Sequence, residues 1–216
     1  MFKSMLVAVA AFLLFGDPAM AEDSTFDRDA VGSVPAGWVA TKTGRGAPRW
    51  AVEEDPTAPS KSKVVKQSGQ ASYPLLLKEG TALTDGYVET RFKPVAGSED
   101  RAGGVVWRAK DADNYYVVRA NALEGNVVAY KTIGGVRSAM DIVGRRGGYG
   151  VKALVPSGQW HTLRVDFRGS RFQIAFDGQA LFEVEDATFT GPGMIGLWTK
   201  ADSVTVFDGC SWGSAR

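Results

Sequence analysis

Short apolar runs separated by polar, turn-forming segments recur along the chain, most densely between residues 103 and 131. Three short runs rich in Val, Tyr and Trp lie there, separated by segments 110–114 and 123–126, which contain Asp, Asn and Gly. β-Branched and aromatic residues favour strands, whereas Asp, Asn and Gly favour turns because they tolerate left-handed backbone angles or hydrogen-bond their own main chain. The pattern predicts three antiparallel strands in a meander.

Further strands are predicted on both sides of this meander. They span residues 64–67, 73–77, 87–95, 160–167, 172–176, 180–184, 193–199 and 204–207, and Asp208 is expected to end the last one. Asp177-Gly178, between two of them, is a strong signal for a tight hairpin. No segment after residue 21 has a convincing helical period. Many short strands with turn signals predict an all-β fold, either a sandwich or a jelly roll.

The alternation also predicts which side chains lie inside. Successive residues of a strand point to opposite faces, so every second residue shares the core. The predicted core contains Val105, Trp107, Tyr116, Val118, Leu163, Val165, Phe172, Ile174, Phe176, Ile195 and Leu197. A shift by one residue would exchange the two faces, so the assignment of Trp107 and Tyr116 to the core fixes the other assignments in the meander.

The residues of opposite parity form a candidate ligand-binding surface. Its expected members, which should converge on one outer face, are Arg108, Tyr115, Arg119, Asn121, Tyr130, Trp198 and Lys200. Arginine forks and Asn amides suit hydroxyl-rich ligands, and a Tyr ring can stack on the apolar face of a sugar. The alternative is that these side chains only solvate an exposed sheet face. Since an exposed Arg contributes little to stability, Arg119→Ala is expected to weaken ligand binding and leave the fold intact.

Composition argues against several other classes of function. The chain of 216 residues has a formal net charge of +1, which gives no electrostatic case for binding nucleic acid or an anionic membrane. A single cysteine, Cys210, excludes an internal disulfide. Because the chain also has only one histidine, a zinc site of the usual kind is excluded.

The first 21 residues have the features of a secretory signal peptide. Lys3 supplies the positive end, residues 5–15 form an apolar run too short to span a bilayer comfortably, and Ala19-Met20-Ala21 is a cleavage pattern. We therefore expect cleavage after Ala21, a single domain over residues 22–216, and a periplasmic or secreted protein without a membrane anchor after cleavage. The alternative is an uncleaved membrane anchor.

Residues 134–150 contain six glycines and are predicted to form a long flexible loop. No helix follows, so the segment is not a phosphate-binding motif. Arg145, Arg146 and Tyr149 are candidates for a lid over the outer face, because long loops in compact domains are often functional. The alternative is a mobile connector.

Several strings of residues resemble one superfamily. They are W-H-T-L-R-V at 160–165, the segment 172–178, G-x-I-G-L-W at 193–198 and V-T-V-F-D at 204–208. With the hairpin formed by G-V-V-W-R at 104–108 and D-N-Y-Y at 113–116, they resemble the concanavalin A-like lectin/glucanase superfamily. Within it, the chain is similar to laminin-G-like domains and to bacterial secreted domains labelled 3-keto-disaccharide hydrolase.

This resemblance implies a jelly roll of two antiparallel sheets, with the meander in the concave sheet, where carbohydrate binds. Family 16 glycoside hydrolases of this superfamily carry Glu-x-Asp-x-x-Glu, which supplies the carboxylates for retaining hydrolysis, and this chain lacks that motif. A carbohydrate-binding module is the first hypothesis. A hydrolase or lyase of sugar derivatives is the alternative, with His161, Glu124 and Asp141 as acid–base candidates outside any diagnostic motif. A protein-interaction module of laminin-G type is a third.

The resemblance also implies a structural calcium ion between the first and last strands. Members of the superfamily often hold one with the Asp that ends a hydrophobic-Phe-Asp strand. Asp208 occupies that position after Val206 and Phe207, and Asp27 follows Phe26 in the matching N-terminal segment. Calcium takes about six to eight oxygen ligands, which carboxylates and main-chain carbonyls can supply. The alternative is that Asp27 and Asp208 only cap turns.

Overall fold

The computed structural model describes residues 21–60, 62–145 and 147–215, in which the chain forms sixteen strands. In chain order they are β1 Glu22–Ser24, β2 Trp38–Ala47, β3 Trp50–Glu54, β4 Lys63–Gln67, β5 Gln70–Lys78, β6 Gly86–Ala96, β7 Ala102–Ala109, β8 Tyr115–Asn121, β9 Asn126–Ile133, β10 Val136–Ala139, β11 Val151–Lys152, β12 His161–Arg168, β13 Arg171–Phe176, β14 Gln179–Glu185, β15 Met194–Trp198 and β16 Val204–Ser214. The predicted signal peptide, apart from Ala21, lies outside these residues.

The strands form two antiparallel sheets packed face to face. Sheet A has the order β14-β13-β12-β6-β16-β4-β3, with β1 beside β16. Sheet B has the order β10-β9-β8-β7-β15-β5-β2, with β11 beside β9. The predicted meander is β7-β8-β9 in the middle of sheet B. The prediction of an all-β jelly-roll sandwich is confirmed. Within the described ranges, no helix has the length and apolarity needed to span a membrane.

One hydrophobic core lies between the two sheets and contains all eleven of the predicted core residues. The Trp107 ring stacks on Tyr116 with centroids 5.3 Å apart and meets Phe172 edge-on at 5.3 Å. The alternation of the meander was therefore assigned to the correct faces. The predicted hairpin is also confirmed, since Asp177 and Gly178 have left-handed φ angles of 47° and 76°, as the tight hairpin turn requires.

Two predicted boundaries were wrong. The last strand does not end at Asp208 but continues to Ser214, because the left-handed Gly209, with φ 79°, absorbs a register shift and lets pairing with β6 resume. The glycine-rich segment 134–150 is not entirely a loop, because β10 lies within it and pairs with β9 at the edge of sheet B. The second error arose because the glycines of this segment were interpreted as an interruption of regular structure.

Candidate functional site

The outer face of sheet B, opposite the core, carries a second buried cluster formed only by residues of that sheet. Its buried members include Leu75, Leu77, Val106, Tyr115, Val117, Val128, Tyr130 and Trp198. The glycine at position 104 pairs with Arg119 on one neighbouring strand and with Trp198 on the other. A Cβ atom there would lie 3.1 Å from Cβ of Arg119 and 2.6 Å from a main-chain oxygen, so Gly104 allows these strands to lie close together.

Arg119 is the centre of the polar groups on this face and is only 1% exposed. Its Nη2 donates hydrogen bonds to Glu124 Oε2 at 2.8 Å, to the Tyr130 hydroxyl at 3.0 Å and to the Tyr149 hydroxyl at 3.1 Å. Its Nη1 donates to the side chain of Asn126. The Tyr130 and Tyr149 hydroxyls also hydrogen-bond each other. The guanidinium is therefore held by four side chains from the sheet and its loops.

A second set of hydrogen bonds continues from this centre along the face. Asn121 Nδ2 donates to Asp100 Oδ1 at 2.6 Å and to Glu124 Oε1 at 3.2 Å. The Lys200 ammonium forms an ion pair with Asp100 Oδ2. Arg119, Glu124, Asn121, Asp100 and Lys200 thus form a continuous line of alternating donors and acceptors, which we call the polar chain. Two cations and two carboxylates in it neutralise each other.

The carboxylate of Asp202 holds Asp100 in place. It accepts hydrogen bonds from the main-chain N–H groups of Ser98, Glu99 and Asp100, at 2.7, 3.0 and 2.9 Å. Partial burial alone would raise the pKa of Asp202, but these hydrogen bonds lower it well below its ordinary value. The turn before β7 is therefore tied to the turn after β15, and Asp100 and Lys200 meet at that junction.

The protonation states in the polar chain follow from burial and charge together. Burial alone would lower the pKa of Arg119, yet Tyr130, Glu124 and Tyr149 raise it above its ordinary value. Burial alone would raise the pKa of Glu124, yet Arg119 and a hydrogen bond from Asn126 lower it. Burial raises the pKa of Tyr130, which keeps its proton. The pair of Arg119 and Glu124 is therefore charged at neutral pH.

Beside the polar chain, three aromatic side chains surround the guanidinium of Arg137. Its central carbon lies 4.1 Å from the Tyr130 ring centroid, 4.7 Å from that of Tyr73 and 5.4 Å from that of Trp198. The rings of Tyr73 and Trp198 stack on each other with centroids 5.7 Å apart. We call Tyr73, Tyr130 and Trp198 the aromatic cage. It shares Tyr130 with the polar chain, so the two clusters are contiguous.

Six of the seven predicted site residues lie on this outer face: Tyr115, Arg119, Asn121, Tyr130, Trp198 and Lys200. Tyr115 and Trp198 have no exposed surface, and the Tyr115 hydroxyl lies 2.8 Å from Thr43 Oγ1. These two side chains form the floor of the surface. The expectation that Arg119 is exposed was wrong, because the neighbouring rings and carboxylate cover it.

Arg108 does not lie on this face, so its assignment to the candidate ligand-binding surface was wrong. Two residues of β7, Trp107 and Arg108, oppose a single residue of β15, so a β-bulge interrupts the alternation. Arg108 has a left-handed φ of 48°, and its guanidinium lies 5.5 Å from the Phe167 ring centroid and 5.3 Å from that of Phe172 in the core. It donates to Asp85 and to the carbonyls of Thr84, Gly169 and Phe189, which ties three loops together.

The sequence analysis missed three members of the site. Asp100 lies in the turn before β7, Tyr73 lies within β5, and Arg137 lies on the edge strand β10 in the segment predicted as a loop. The expected lid residue Tyr149 does contact Arg119, whereas Arg145 donates to the Gly150 carbonyl within its own segment and Arg146 lies outside the described residues. The glycine-rich composition was the only signal in the sequence for this region.

Two surface cavities are relevant to the position of the site. One of about 450 Å³ opens at the rim of sheet B beside Arg45, Tyr73, Glu99 and Lys200. A larger one, of about 540 Å³, lies on the outer side of sheet A, where it is lined by Arg164, Asp166, Arg171 and Glu183 among others. These four side chains pair with one another, Arg164 with Asp166 and Arg171 with Glu183. We assign the site to the smaller cavity because it reaches the aromatic cage and the polar chain.

Two of the three acid–base candidates lie outside these clusters. The His161 ring is buried at the rim of the core, with Nδ1 2.9 Å from Asp177 Oδ2 and Nε2 3.1 Å from the Pro156 carbonyl. Asp141 is exposed and follows β10. Only Glu124 belongs to the polar chain. Of the three candidates, Glu124 alone therefore lies on the outer face of sheet B.

Of the two Asp residues expected to hold calcium, Asp208 lies in β16 and Asp27 lies in the segment after β1. Asp208 is 1% exposed, its Oδ2 accepts from the Ser60 N–H at 2.9 Å, and Arg91 Nη2 lies 3.4 Å from the same oxygen. The other oxygen, Oδ1, is buried and receives no hydrogen bond from the described residues, and the same holds for Ser60 Oγ. Asp27 accepts from the Lys63 N–H at 3.3 Å. An oxygen without a donor partner fits a cation.

These same residues limit what such a cation site would contain. The described part of the chain holds no group of three or more His, Cys, Asp or Glu side chains placed to bind a metal. Calcium would therefore need main-chain and hydroxyl oxygens in addition to Asp27 and Asp208.

Sequence comparison identifies one family for nearly the whole described chain. The model of the 3-keto-alpha-glucoside-1,2-lyase-like domain matches residues 23–208. Comparison with curated proteins finds no match.

Solved structures resemble the fold at low sequence identity. Carbohydrate-binding module CBM66 from Bacillus subtilis has a TM-score of 0.61 and 22% identity, over 80% of this chain and 92% of its own. A protein of unknown function with a galectin-like fold from Bacillus subtilis has a TM-score of 0.58 and 9% identity, over 90% and 96%. The β-glucanase of Bacillus licheniformis has a TM-score of 0.53 and 12% identity, over 91% and 98%. At these identities the likeness shows the fold alone.

Proposed function

We propose that this chain, which belongs to the 3-keto-alpha-glucoside-1,2-lyase-like domain family, is a periplasmic or secreted carbohydrate-binding domain that holds a glycan on the outer face of sheet B. We take this to be the concave sheet of the jelly roll. The observation that carries the proposal is the aromatic cage joined to the polar chain beside a cavity of about 450 Å³. Sugars present apolar ring faces and many hydroxyls, which match the Tyr73 ring and the Lys200 ammonium where these clusters reach the cavity.

Tyr73 and Lys200 are the members that a ligand can reach most directly, because both are partly exposed and line the cavity. A Tyr ring at the rim offers its face to a sugar ring, and the Lys200 ammonium offers N–H donors to hydroxyl oxygens. The buried Tyr115 and Trp198 support them from below. The carbohydrate-binding module among the similar structures supports the proposal through its fold only.

A glycan array with the purified protein tests this proposal, followed by calorimetry with the glycans that bind. Tyr73→Ala should lower the affinity about tenfold, which corresponds to about 1.4 kcal/mol for one lost ring contact. Tyr87→Ala is the matched control, since Tyr87 is a partly buried ring on the outer face of sheet A. Equal losses in the two variants, or no glycan bound by the wild type, would contradict the proposal.

A second candidate function is the cleavage of sugar derivatives, because the family description names a 1,2-lyase of a 3-keto-alpha-glucoside. Elimination across C1 and C2 requires a base for the C2 proton and an acid for the leaving oxygen. Glu124 is the carboxylate in reach, but its lowered pKa makes it a weak base. Tyr130, with its raised pKa, keeps its proton and could serve as the acid. The weak basicity of Glu124 is therefore the feature that favours binding over turnover.

Incubation with a 3-keto-alpha-glucoside separates the two candidates, since a lyase or hydrolase releases the aglycone and a binding domain does not. We expect no release. If release occurs and Glu124→Gln abolishes it while binding remains, the enzymatic function is correct and Glu124 is its acid–base group. Release that survives Glu124→Gln would locate the chemistry elsewhere in the chain.

Export is part of the same proposal and has a separate test. The mature protein recovered from the periplasm or medium should begin at Glu22, as read by intact mass. A protein that retains residues 1–21 would contradict cleavage after Ala21.

We also retain calcium as a structural ligand, on the basis of the buried Asp208 Oδ1 that lacks a hydrogen bond from the described residues. An ion that binds only the folded state stabilises it. Calcium should therefore raise the Tm and a chelator should lower it, with magnesium as the control cation. Asp208→Asn should abolish the calcium-dependent shift. A Tm that is the same with calcium and with chelator means that Asp27 and Asp208 only cap turns.

A further inference from the structure

Arg137 differs from Arg119 and Lys200 in forming no ion pair with an acidic side chain in the described part of the chain. Arg119 pairs with Glu124 at 2.8 Å, and the Lys200 ammonium pairs with Asp100. Within the described ranges, Arg137 forms no ion pair and donates no side-chain hydrogen bond, and its Nη1 is buried without a partner. A buried donor that stays unpaired is unfavourable, and more so in a charged group. The aromatic cage therefore encloses a positive charge with a buried donor that no described residue satisfies.

The position of Arg137 is fixed by the sheet and by the aromatic cage. Arg137 pairs with Thr132 across β10 and β9, which directs its side chain to the outer face, where the Tyr130 ring centroid is 4.1 Å from the guanidinium carbon. Contacts with ring faces fix the plane of a guanidinium while its N–H groups point outwards in that plane. The three rings thus hold a donor fork without consuming its hydrogen bonds.

The floor beneath Arg137 leaves its guanidinium without an acceptor in the part of the chain that the structure describes. Thr132 is the register partner of both Arg137 and Tyr115, and its side chain is fully buried beside the Tyr115 hydroxyl. The buried Nη1 of Arg137 remains without a partner among the described residues. An unpaired donor on a held cation is the arrangement expected where a bound acceptor completes the hydrogen bonds.

We infer that Arg137 determines ligand specificity and that the glycan bound on this face carries a carboxylate, as in a uronic acid residue. This inference rests on the proposed function. The two oxygens of a carboxylate match the planar N–H fork of an arginine and neutralise its charge. A neutral sugar would leave the charge of Arg137 uncompensated among three rings. A sulfate ester offers the same charge with tetrahedral geometry and is distinguished by experiment.

The test compares oligosaccharides of one linkage that end in glucuronate, in glucose, or in a sulfated glucose, by calorimetry at low and at high salt. We expect glucuronate to bind the wild type at least about tenfold more tightly than glucose, with an advantage that shrinks as salt screens the charge. Arg137→Gln should remove this advantage, and Arg137→Lys should keep part of it. Arg164→Gln is the matched control, because Arg164 lies 4.0 Å from the Tyr87 ring on the outer face of sheet A.

Each outcome decides the inference. Equal binding of the glucuronate and glucose ligands overturns it while the proposed function stands, and a preference for the sulfated ligand alone overturns the carboxylate. Binding of none of the three, with no glycan bound on the array, ends both proposals. If Arg137→Gln fails to fold, the wild-type preference and its salt dependence still decide whether the ligand is acidic.

Discussion

The outer faces of the two sheets use similar side chains in opposite environments. On sheet A, Arg164 stacks on Tyr87 at 4.0 Å and pairs with Asp166, and these charged side chains are 32% and 47% exposed. On sheet B, Arg119 lies 5.7 Å from the Tyr130 ring and pairs with Glu124, but its side chain is 1% exposed. The same chemistry is solvated on one sheet and enclosed on the other.

The difference in exposure determines whether water or the protein supplies the hydrogen bonds of these charged groups. A charged group removed from water must have its hydrogen bonds met by the protein, which is why Arg119 is surrounded by acceptors. Exposed pairs such as that of Arg164 contribute little, because water can replace either partner. Sheet B therefore has buried side chains on both faces of its meander, apolar ones on the inner face and a cluster with hydrogen-bonded polar groups on the outer face. The outer face is where we propose that a ligand binds.

The largest effect should come from the aromatic floor. Trp198→Ala removes a ring with no exposed surface and should lower the free energy of unfolding by about 3–5 kcal/mol, because a cavity remains. Tyr87→Ala on sheet A should lower it by about 1 kcal/mol or less. Urea unfolding with equal m-values measures both. Similar losses would mean that the two outer faces do not differ in packing.

The second effect concerns the two arginines. Arg119→Ala should lower the free energy of unfolding by about 3 kcal/mol, since it leaves the acceptors around it without their donor. This replaces the expectation from the sequence that the fold is unaffected. Arg164→Ala should change stability by at most about 1 kcal/mol, because its partners are exposed. A loss for Arg164→Ala as large as that for Arg119→Ala would contradict the comparison.

The smallest effect should appear as a dependence of Tm on pH. The pKa of Glu124 is lowered in the folded protein, so its contribution to stability is present above its unfolded pKa of about 4.3 and is lost as the pH falls through the lowered value. In the Glu124→Gln variant the Tm should therefore decrease less as the pH is lowered below about 4.5. Glu183→Gln, which removes a partner of the exposed Arg171, is the control for loss of charge. If the Tm of Glu124→Gln falls with pH as steeply as that of the wild type, the pair of Arg119 and Glu124 is as solvated as the ion pairs of sheet A.

The fold was predictable because most of its strands follow the two-residue period between bulges. Trp107 and Tyr116 are large apolar residues at fixed parity, and burial of their side chains decided the faces of the whole meander. Arg108 was misplaced because its bulge depends on pairing with β15, a strand far away in the chain, and no glycine or asparagine marks the position. A local pattern contains no information on such a register shift.

The site was only partly predictable for a related reason. Alternation placed Arg119 on the correct face but could not show that Glu124, Tyr130 and Tyr149 enclose it, since burial of an outer face depends on loops and distant strands. Arg137 was missed because its segment is rich in glycine, although four residues of it pair with β9. The tertiary contacts, which a single sequence does not reveal, decide both features.

Because β10 lies at the edge of sheet B, the residue that we propose to determine ligand specificity lies outside the inner strands of the sheet. The inner strands of sheet B are each anchored on two sides, whereas β10 has one hydrogen-bonded neighbour in the strand order and supplies Arg137, with Tyr149 following ten residues after its end. Only the residues before Met140 can be exchanged freely, because Met140 and Ile142 pack in the core and Ile142 bridges to Val184 of sheet A. Grafting residues 134–139 from a homologue is expected to transfer the donor's ligand preference while the host keeps its own folding behaviour. The protein is in this sense modular at one border of one sheet.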